Sequence, residues 1–430
     1  MDENKVLGVH PLVGDEWESA VALMSADLEG SARDSKALQR RREVRSASDL
    51  LRLVLGYALG DWSLRLTGLW ATLTGLGKLS DVAVLKRLRA CLDWLRELIG
   101  ARLREQRLCL QRRATRLRLI DATVVSGPGS RGTDWRVHLS FDMGQVQIDG
   151  IEVTDAQGGE TLVRHPVEAG DVIVADRGYA HPAGLGSVLG DGGQLVVRIN
   201  WQNLPLEDAD GQRVDLINWL QGLTTGIGAR EVWLWTPQGR FALRLVARRL
   251  SEEAADAARR RLTKQARKKG RTPDRRSLIA ASFVMVVTNL SVEQWSDAEV
   301  LDLYRLRWQI ELLCKRLKSL LDLDQLRARS GDLAQVYLLG KLLAALLIDA
   351  LAGKLAARWP AWGESRDRPV SPWRQYALLL DWLRSAVRGV ITLERILAML
   401  PDLGRYLRDS PRQRRQQCAT ARTLLRALVN

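Results

Sequence analysis

The sequence feature that most constrains the fold is a change of hydrophobic period near residue 117. Between residues 117 and 200, five short segments are rich in Val and Ile and are bounded by Gly, Asp or Pro, which is typical of β-strands. These segments are RLIDATVV, DWRVHLSFDM, VQIDGIEVTDA, DVIVADRG and QLVVRIN. A short helix is predicted within residues 160–168 and another from about Pro182 to Leu189. The pattern therefore predicts a mixed α/β domain with at least five strands.

Helical periodicity dominates the chain before this domain. From residue 17 to about 113, Leu, Val and Ala recur every three or four positions, and strand-like runs are rare. Residues 61–98 predict two helices around a Gly-rich turn, with Ser80 and Asp81 capping the second helix. That second helix carries the cations Lys86, Arg87 and Arg89. The segment fits a helix-turn-helix DNA reader and, equally, a helical bundle with a solvated basic face.

Residues 201–281 differ in composition from the strand-rich segment before them. EVWLWT and RFALRLVARRL predict a hairpin around Pro237-Gln238-Gly239. A basic tract follows, helical at first and then a loop at residues 270–273; its cations are Arg259, Arg260, Arg261, Lys264, Arg267, Lys268, Lys269, Arg271, Arg275 and Arg276. Such tracts are usually solvated faces. If the chain binds a nucleic acid, contact with phosphates is the better explanation, and Lys268 and Lys269 are the candidates.

The chain has 430 residues, which is too long for one compact core and predicts several domains. A strand is predicted over residues 282–290, followed by a single helix from about Ser296 to Leu320 with Ser296-Asp297 as its N-cap. The rest is predicted to be helical, with a loop at 360–372 and an Arg-rich tail at 412–415. The predicted organisation is a helical domain at 1–113, an α/β pattern in two parts at 114–200 and 282–330 around a segment of different composition at 201–281, and a C-terminal helical region at 331–430.

The charge balance points to a polyanionic partner. Lys and Arg number 65 against 50 Asp and Glu, which leaves a net charge of +15 and a pI of about 10.1. A basic surface kept for solubility would also give these values. Because the planar guanidinium of arginine suits phosphate groups and the excess is large, we expect a nucleic acid to be the partner.

The cysteines and the apolar segments argue for a cytoplasmic protein without a membrane span. Four scattered cysteines, Cys91, Cys109, Cys314 and Cys418, show no metal-ligand spacing and fit reduced packing thiols. The N-terminus is acidic and broken by Pro and Gly, unlike a signal peptide. The most apolar stretch, residues 338–353, contains Lys341 and Asp349, so we predict a core helix there.

Two aspartates stand in apolar, strand-like segments. Asp121 lies within Leu119–Val125, and Asp176 directly follows Val172–Ala175. A carboxylate in a buried strand is costly unless it is paired or binds a cation. Two of them on neighbouring strands would offer the hard oxygen ligands that suit Mg²⁺ or Mn²⁺. For either aspartate alone, a strand-end carboxylate satisfied by backbone amides is the more common arrangement.

Four residues of the segment YRLRWQIELLCKRLK share one stripe of the predicted long helix. Tyr304, Arg307, Glu311 and Lys318 stand at offsets of 0, 3, 7 and 14. At about 100° per residue they project within roughly 60° of one another. An aromatic ring, two cations and a carboxylate do not make a core face. On periodicity alone, a functional site and an exposed Arg307–Glu311 ion pair are both open.

These positions resemble a known family. Tyr304-x2-Arg307-x3-Glu311-x6-Lys318 is similar to the Y-R-E-K motif of bacterial insertion-sequence-four family transposases, in register at all four positions. Ala175-Asp176-Arg177-Gly178-Tyr179 resembles the second catalytic segment of that family, and Ile120-Asp121-Ala122-Thr123 resembles the first. Arg136-x-His138, in the next predicted strand, also looks familial. The resemblance covers about residues 117–329 well and the N-terminal helices loosely.

The resemblance implies a ribonuclease-H-like mixed sheet, with catalytic acids on the first strand, the fourth strand and a late helix. It also implies a mainly β insertion before the third acid, at residues 201–281, and a DNA-binding role for the helical domain at 1–113. By this correspondence, Asp121, Asp176 and Glu311 are the catalytic and metal-binding acids, which hold two Mg²⁺ ions for which Mn²⁺ can substitute. The implied reaction is cut-and-paste transposition. It comprises metal-dependent cleavage at the transposon ends, through a DNA hairpin, and strand transfer into target DNA.

The resemblance also implies how DNA is held. Arg307 and Lys318 would clamp phosphates of the transposon end, Tyr304 would contact the backbone, and Trp308 is a candidate to hold a flipped base. The full set of candidate DNA contacts is Tyr304, Arg307, Lys318, Trp308, Arg177, Lys268 and Lys269. The partners would be the terminal inverted repeats and target DNA, bound by a homodimer in the synaptic complex.

Two other functions are open from the sequence. A metal-dependent nuclease, or a domesticated relative without strand transfer, would keep the same fold and the same acids. A non-enzymatic DNA-binding regulator built on the N-terminal helices would have no use for three separated acids and would act without metal.

Overall fold

The computed structural model describes residues 16–24, 27–110, 116–130, 132–223, 226–328, 330–358 and 370–407. The chain forms two compact units, one of residues 1–98 together with 358–430 and one of residues 99–357. The acidic N-terminal stretch and the Arg-rich tail at 412–415 lie outside the described residues, as does most of the loop predicted at 360–372.

The helices alternate with strands only in the middle of the chain. In chain order they are α1 (Trp17–Val21), α2 (Leu28–Asp34), α3 (Ala47–Gly60), α4 (Leu64–Leu73), α5 (Asp81–Ala90), α6 (Leu92–Leu110), α7 (Pro182–Gly190), α8 (Leu216–Gly222), α9 (Glu252–Lys268), α10 (Arg275–Ala280), α11 (Asp297–Arg305), α12 (Trp308–Leu321), α13 (Gly331–Arg358), α14 (Pro372–Arg388), α15 (Leu393–Ala398) and α16 (Leu400–Leu407). Short 3₁₀ turns occur at Leu162–Arg164 and Arg177–Tyr179.

The first unit is helical throughout its described residues. α3 is buried along nearly its whole length and packs against α14, and Arg52 donates a hydrogen bond of 2.9 Å to the carbonyl of Val387. The N-terminal helices therefore share a core with α14 and α16. α4 and α5 are the two helices predicted between residues 61 and 98, and the Ser80 hydroxyl caps α5 by accepting the Ala83 N–H at 3.2 Å. Whether they read DNA stays a prediction.

The second unit is built on one eight-stranded sheet. Its strands are β1 (Leu117–Val125), β2 (Trp135–Asp142), β3 (Gln147–Asp155), β4 (Val172–Ala175), β5 (Gln194–Arg198), β6 (Ile227–Thr236), β7 (Gly239–Arg249) and β8 (Phe283–Thr288), in the spatial order β3-β2-β1-β4-β5-β8-β7-β6. β4 pairs in parallel with β1 on one side and with β5 on the other. All the other strand pairs are antiparallel. The five strands predicted between residues 117 and 200 are confirmed.

The predicted ribonuclease-H-like mixed α/β fold is confirmed as well. All four residues of β4 are buried, as expected for a central parallel strand that is covered on both faces. α7 packs against β5 and β6, and α12 packs against β1. Helices at both ends of the chain complete the architecture.

Residues 201–281 contribute the hairpin β6–β7 and the helices α8, α9 and α10. The predicted hairpin is confirmed, because Thr236 pairs with Gly239 across a two-residue turn. β7 also pairs with β8, and β8 pairs with β5. The hairpin therefore continues the sheet that begins with β1 to β5.

The single helix predicted from Ser296 to Leu320 is two helices, so this prediction was wrong. Ser296 caps α11 as expected, in a capping box with Glu299. α11 ends at Arg305 and α12 begins at Trp308. Around this junction the backbone N–H groups bond to carbonyls three residues earlier, as in Arg307 N–H to Tyr304 at 3.1 Å. This tighter winding interrupts the α-helix.

α13 contains the apolar stretch predicted as a core helix and is longer than predicted, with 28 residues. By length and composition it could cross a membrane, but 78% of its most apolar window is buried inside the protein. Lys341, which is 2% exposed, donates a hydrogen bond of 2.8 Å to the carbonyl of Asp322. Cys91 and Cys314 are buried free thiols, whereas the side chains of Cys109 and Cys418 lie outside the described residues.

Candidate active site

Two of the predicted acids follow paired positions on neighbouring parallel strands. Ile120 of β1 pairs with Ala175 of β4, and Asp121 and Asp176 are the next residues of the two strands. Because the strands are parallel, both aspartates stand at the same edge of the β1–β4 ladder. Asp121 Oδ1 accepts the N–H of Ala122 at 2.8 Å.

The third predicted acid comes from α12. Glu311 lies in the first turn of this helix, which packs against β1. Arg307 Nη2 donates to Glu311 Oε1 at 2.5 Å, and Arg307 Nη1 lies 3.8 Å from Asp121 Oδ2. One guanidinium therefore bridges the first and third acids.

Asp176 is held by a second pair of side chains. The Tyr304 hydroxyl donates to Asp176 Oδ1 at 3.0 Å, and Arg198 Nη1 lies 3.9 Å from the same oxygen. The guanidinium of Arg307 also lies over the Tyr304 ring, 5.7 Å from its centre. A continuous set of contacts thus connects Asp121, Arg307, Glu311, Tyr304 and Asp176.

The four Y-R-E-K positions do not lie on one continuous helix, contrary to the stripe predicted above. Tyr304 belongs to α11, Arg307 stands at the junction, and Glu311 and Lys318 belong to α12. The junction between α11 and α12 therefore sets the position of Tyr304 relative to Arg307 and Glu311. The i,i+4 pair of Arg307 and Glu311 is present, but the Arg307 side chain is only 15% exposed, so it is not a solvated surface pair.

The site destabilises the charge on Asp121. Burial raises the pKa of Asp121 to about 6, opposed by the N–H of Ala122 and the charge of Arg307. The carboxylates of Glu160 and Glu311 raise it further. The positive charge that the protein places near Asp121 therefore does not fully compensate its carboxylate.

Asp176 is shifted in the opposite direction. Burial raises its pKa, but the Arg177 N–H, the charge of Arg307 and the Tyr304 hydroxyl together lower it below the usual value of 3.8. Arg198 adds to this lowering. Neighbouring aspartates with opposite pKa shifts are typical of functional sites.

The donor set fits a divalent cation. Asp121, Asp176 and Glu311 offer only carboxylate oxygens, the ligands that Mg²⁺ and Mn²⁺ prefer. Burial, together with repulsion from Glu160 and Glu311, raises the pKa of Asp121, so added positive charge would be favourable there. Within the described part of the chain, no three acidic, His or Cys side chains converge tightly enough to hold an ion as they stand. Arg307 supplies the charge between Asp121 and Glu311 instead.

The other predicted DNA contacts surround this network to different degrees. Trp308 is 59% exposed at the start of α12, and Arg177 is exposed directly after Asp176. Lys318 is half-buried two turns beyond Glu311. Its charge partly offsets the burial that raises the pKa of Cys314 to about 12.

A cavity of about 320 Å³ opens beside Asp176. Its lining includes Arg177, Arg198, Trp201, Arg261, Gln265 and Phe283. Arg261 and Gln265 come from α9, so the basic helix reaches the neighbourhood of the second acid. Lys268 and Lys269 are exposed at the end of the same helix and do not line the cavity. The basic tract is thus partly at the site and partly beyond it.

Two charged residues of the site were missed by the sequence reasoning. Arg198 could have been found, because Ala175 pairs with Val197 in parallel register, which brings Arg198 beside Asp176. Glu160 carried no local signal, since it lies in an irregular segment before the first 3₁₀ turn.

Comparison with known proteins agrees with this geometry. The family described as Transposase DDE domain matches residues 112–347, more than half of the chain. The chain belongs to the bacterial DDE transposases. It is therefore a DNA transposase, an enzyme that cleaves DNA and transfers its strands. A nuclease without strand transfer and a non-enzymatic regulator are not favoured.

Individual relatives cover most of the chain. The chain is 39% identical over 351 residues to the transposase for insertion sequence element IS421 of Escherichia coli, covering 78% of this chain and 93% of that protein. It is similarly 39% identical over 350 residues to the InsL protein of insertion sequence element IS186A from Escherichia coli K12, with the same coverage. The transposase for IS231F of Bacillus thuringiensis subsp. israelensis is 23% identical over 430 residues, covering 90% and 89% of the two chains. Like other DDE transposases, the enzyme acts on DNA and depends on a divalent metal.

Proposed function

We propose that Asp121, Asp176 and Glu311 are the catalytic acids of this DDE transposase. The observation that carries the assignment is the set of contacts that joins the three carboxylates through Arg307 and Tyr304. The acids come from β1, from the position directly after β4 and from α12, at sequence positions that only the fold brings together. The proposed cofactor is a pair of Mg²⁺ ions, with Mn²⁺ as a substitute.

Bound divalent ions would lower the pKa of an attacking water or 3′ hydroxyl and stabilise the leaving oxygen of the scissile phosphate. Asp121, Asp176 and Glu311 would hold them. Tyr304 keeps Asp176 ionised and oriented through its hydrogen bond. Arg307 supports the charges of Asp121 and Glu311, and its guanidinium can also accept a DNA phosphate as a bidentate partner.

The proposed DNA path runs over the surface around this network. Arg307 and Lys318 would clamp phosphates of the transposon end. Arg177 would contact the strand beside Asp176. Lys268 and Lys269 would bind phosphates farther along α9, where both are exposed. Such contacts fix the position of DNA without reading its sequence.

Sequence-specific recognition of the terminal inverted repeats is proposed for the N-terminal helices, within a DNA-binding domain of residues 1–113. The core would comprise residues 114–200 and 282–330, interrupted by the insertion at 201–281 and followed by helices at 331–430. Because both transposon ends must be cut together, the working form would be a homodimer assembled on DNA. Second-strand cleavage would pass through a hairpin, with Trp308 holding a flipped base.

The test of the assignment is Glu311→Gln in the full-length protein. It should abolish cleavage of an end-containing DNA in Mg²⁺ and also abolish joining of pre-cut ends, while end binding is retained. Asp302→Asn is the matched control, because Asp302 is an exposed acid of α11 that pairs with Arg305. Cleavage by Glu311→Gln at the wild-type rate would refute the assignment.

A further inference from the structure

A fourth acid, Glu160, lies against the turn that carries Asp176. Gly178 is the second residue after Asp176, and a Cβ atom placed on Gly178 would overlap the Glu160 carboxylate. Within the described residues, that carboxyl group supplies every heavy atom within 4 Å of the position. The absence of a side chain at Gly178 therefore makes the room that the Glu160 carboxylate occupies.

The segment that presents Glu160 is fixed by two arginines. Arg136 of β2 donates a hydrogen bond of 2.5 Å to the carbonyl of Gly158, and Arg164 donates one of 3.1 Å to the carbonyl of Gly159. Arg136 Nε also lies 4.0 Å from Glu160 Oε1. Both carbonyls before Glu160 are thus held by guanidinium groups, which directs its side chain towards Gly178.

The second residue of the Arg136-x-His138 motif supports the same segment. His138 Nε2 lies 3.0 Å from Thr154 Oγ1, and His138 is fully buried. A Cβ atom on Gly158 would overlap the Thr154 side chain, so the loop packs directly on this pair. The catalytic assignment gives the Arg136-x-His138 motif no role. In the structure, this motif supports the loop that ends at Glu160.

The charge of Glu160 acts on the catalytic acids. Its carboxylate lies close enough to Asp121 to disfavour the negative charge there, as the carboxylate of Glu311 does. Its nearest ion-pair partner among the described residues is Arg136 at 4.0 Å, and the Glu160 side chain is 36% exposed. A carboxylate placed beside other carboxylates with so loose a counter-ion adds negative charge that is favourable once a cation is bound.

We propose that Glu160 is a positioning residue of the active site, held by Arg136, which packs against Gly178 and strengthens divalent-ion binding by Asp121 and Asp176. The inference rests on the proposed function, because it assigns a role towards the same ions. Residues around a metal site that orient its ligands typically contribute about 10- to 100-fold in metal affinity.

The first test measures the binding of Mn²⁺ alone to the full-length protein by isothermal titration calorimetry, without DNA. Glu160→Gln and Gly178→Ala should each weaken Mn²⁺ binding by about tenfold or more. In Gly178→Ala the new methyl group displaces only the flexible end of Glu160. Gly222→Ala is the matched control, because nothing described lies within 4 Å of its Cβ position. Wild-type affinity in Glu160→Gln and Gly178→Ala would overturn the proposal.

A second measurement separates this role from simple structural support. In EDTA, Glu160→Gln should unfold at the same temperature as the wild type or at a higher one, because a repulsive charge has been removed. A lower unfolding temperature with unchanged Mn²⁺ affinity would show a structural salt bridge and overturn the proposal. Arg136→Ala should weaken Mn²⁺ binding although it makes the site more negative; tighter binding would contradict the positioning role.

The same titration with Glu311→Gln separates the role of Glu160 from the assignment of the three catalytic acids. Loss of Mn²⁺ binding in Glu311→Gln, together with wild-type affinity in Glu160→Gln, would overturn only the role of Glu160. Wild-type Mn²⁺ affinity in both variants would overturn the proposed acids as well.

Discussion

The hydroxyl of Tyr304 donates a hydrogen bond of 3.0 Å to Oδ1 of Asp176, a residue 128 positions earlier in the chain. Tyr304 is 9% exposed, so the bond is shielded from water. It fastens the end of α11 to the end of β4, at the point where the proposed second acid stands. A donor to a carboxylate favours its ionised form, which is the form that binds a cation.

Tyr304→Phe should lower both the stability of the protein and the affinity of the site for Mg²⁺. Loss of a hydrogen bond to a charged acceptor should lower the free energy of unfolding at pH 7 by about 1.5–3 kcal/mol. The pKa of Asp176 should rise, and the half-saturating Mg²⁺ concentration for cleavage should rise with it. Urea unfolding and a Mg²⁺ titration measure the two effects. Tyr406→Phe, which removes a neutral hydrogen bond to Thr72 in the other unit, is the control for stability; equal losses in both variants would contradict a charge-assisted bond.

Asp121→Asn should stabilise the metal-free protein in a pH-dependent way. The pKa of Asp121 is raised from 3.8 to about 6, so its ionised form destabilises the fold fully above pH 6 and not at all well below 3.8. A shift of this size corresponds to about 3 kcal/mol. In EDTA the variant should therefore unfold at a higher temperature than the wild type at pH 7.5, and the gap should narrow as the pH falls from 6 to 4. A gap that is constant with pH would contradict the prediction.

Arg307→Ala should weaken DNA binding at all sequences alike. If the guanidinium contacts one phosphate, the plot of log affinity against log salt should lose a slope of about one unit. Fluorescence anisotropy with end-containing and unrelated duplexes at several salt concentrations measures this. Arg305→Ala is the control, because Arg305 is 75% exposed on α11 and pairs with Asp302. A slope equal to that of the wild type would exclude the phosphate clamp.

Replacing Lys268 and Lys269 together by Ala should reduce non-specific DNA affinity and leave cleavage of bound ends intact. Both side chains are exposed beyond the cavity beside Asp176, so they can contact phosphates but not the reacting groups. The salt slope should fall by about two units. Arg213→Ala, at an exposed loop cation of the same unit, is the control. An effect confined to the cleavage rate would place these lysines elsewhere in the mechanism.

Trp308→Ala should stop the reaction after the first nick. Trp308 is 59% exposed and follows Arg307 directly, so its indole is free to stack on a base extruded near the acids. Denaturing gels of end-containing DNA should then show nicked product without hairpin. Trp235→Ala removes an indole of nearly equal exposure, 57%, from the β6–β7 hairpin and should leave the product pattern unchanged. Normal hairpin yield in Trp308→Ala would remove Trp308 from this role.

Local pattern was sufficient to locate the strands beside the proposed site, whereas the choice of the three acids needed the resemblance to the Y-R-E-K motif. The Val- and Ile-rich runs located β1 and β4, with Asp121 inside the first run and Asp176 directly after the second. Ser296 and Asp297 correctly marked where α11 begins. These features depend on residues close in sequence, where hydrophobic period and capping chemistry are decisive.

What failed depended on contacts between distant residues. The junction between α11 and α12 has no Gly or Pro to announce it; it lies where Tyr304 reaches Asp176 and Arg307 reaches Asp121. Glu160 approaches Gly178 from a segment that is held by Arg136 of β2 and by Arg164 of the first 3₁₀ turn. The hydrophobic period of a helix or a strand gives no information on contacts between residues so far apart in the sequence.

The pairing of β7 with β8, and of β8 with β5, has a practical consequence for engineering. A block bounded at residues 201 and 281 looks like a removable cassette in the sequence, yet its excision would strip the ladder partner from β8 and leave that strand with a bare edge. Chimaeras between relatives should therefore exchange β5 through β8 together, with breakpoints in the loops on either side. Grafts cut at the apparent borders are expected to aggregate through the unsatisfied strand.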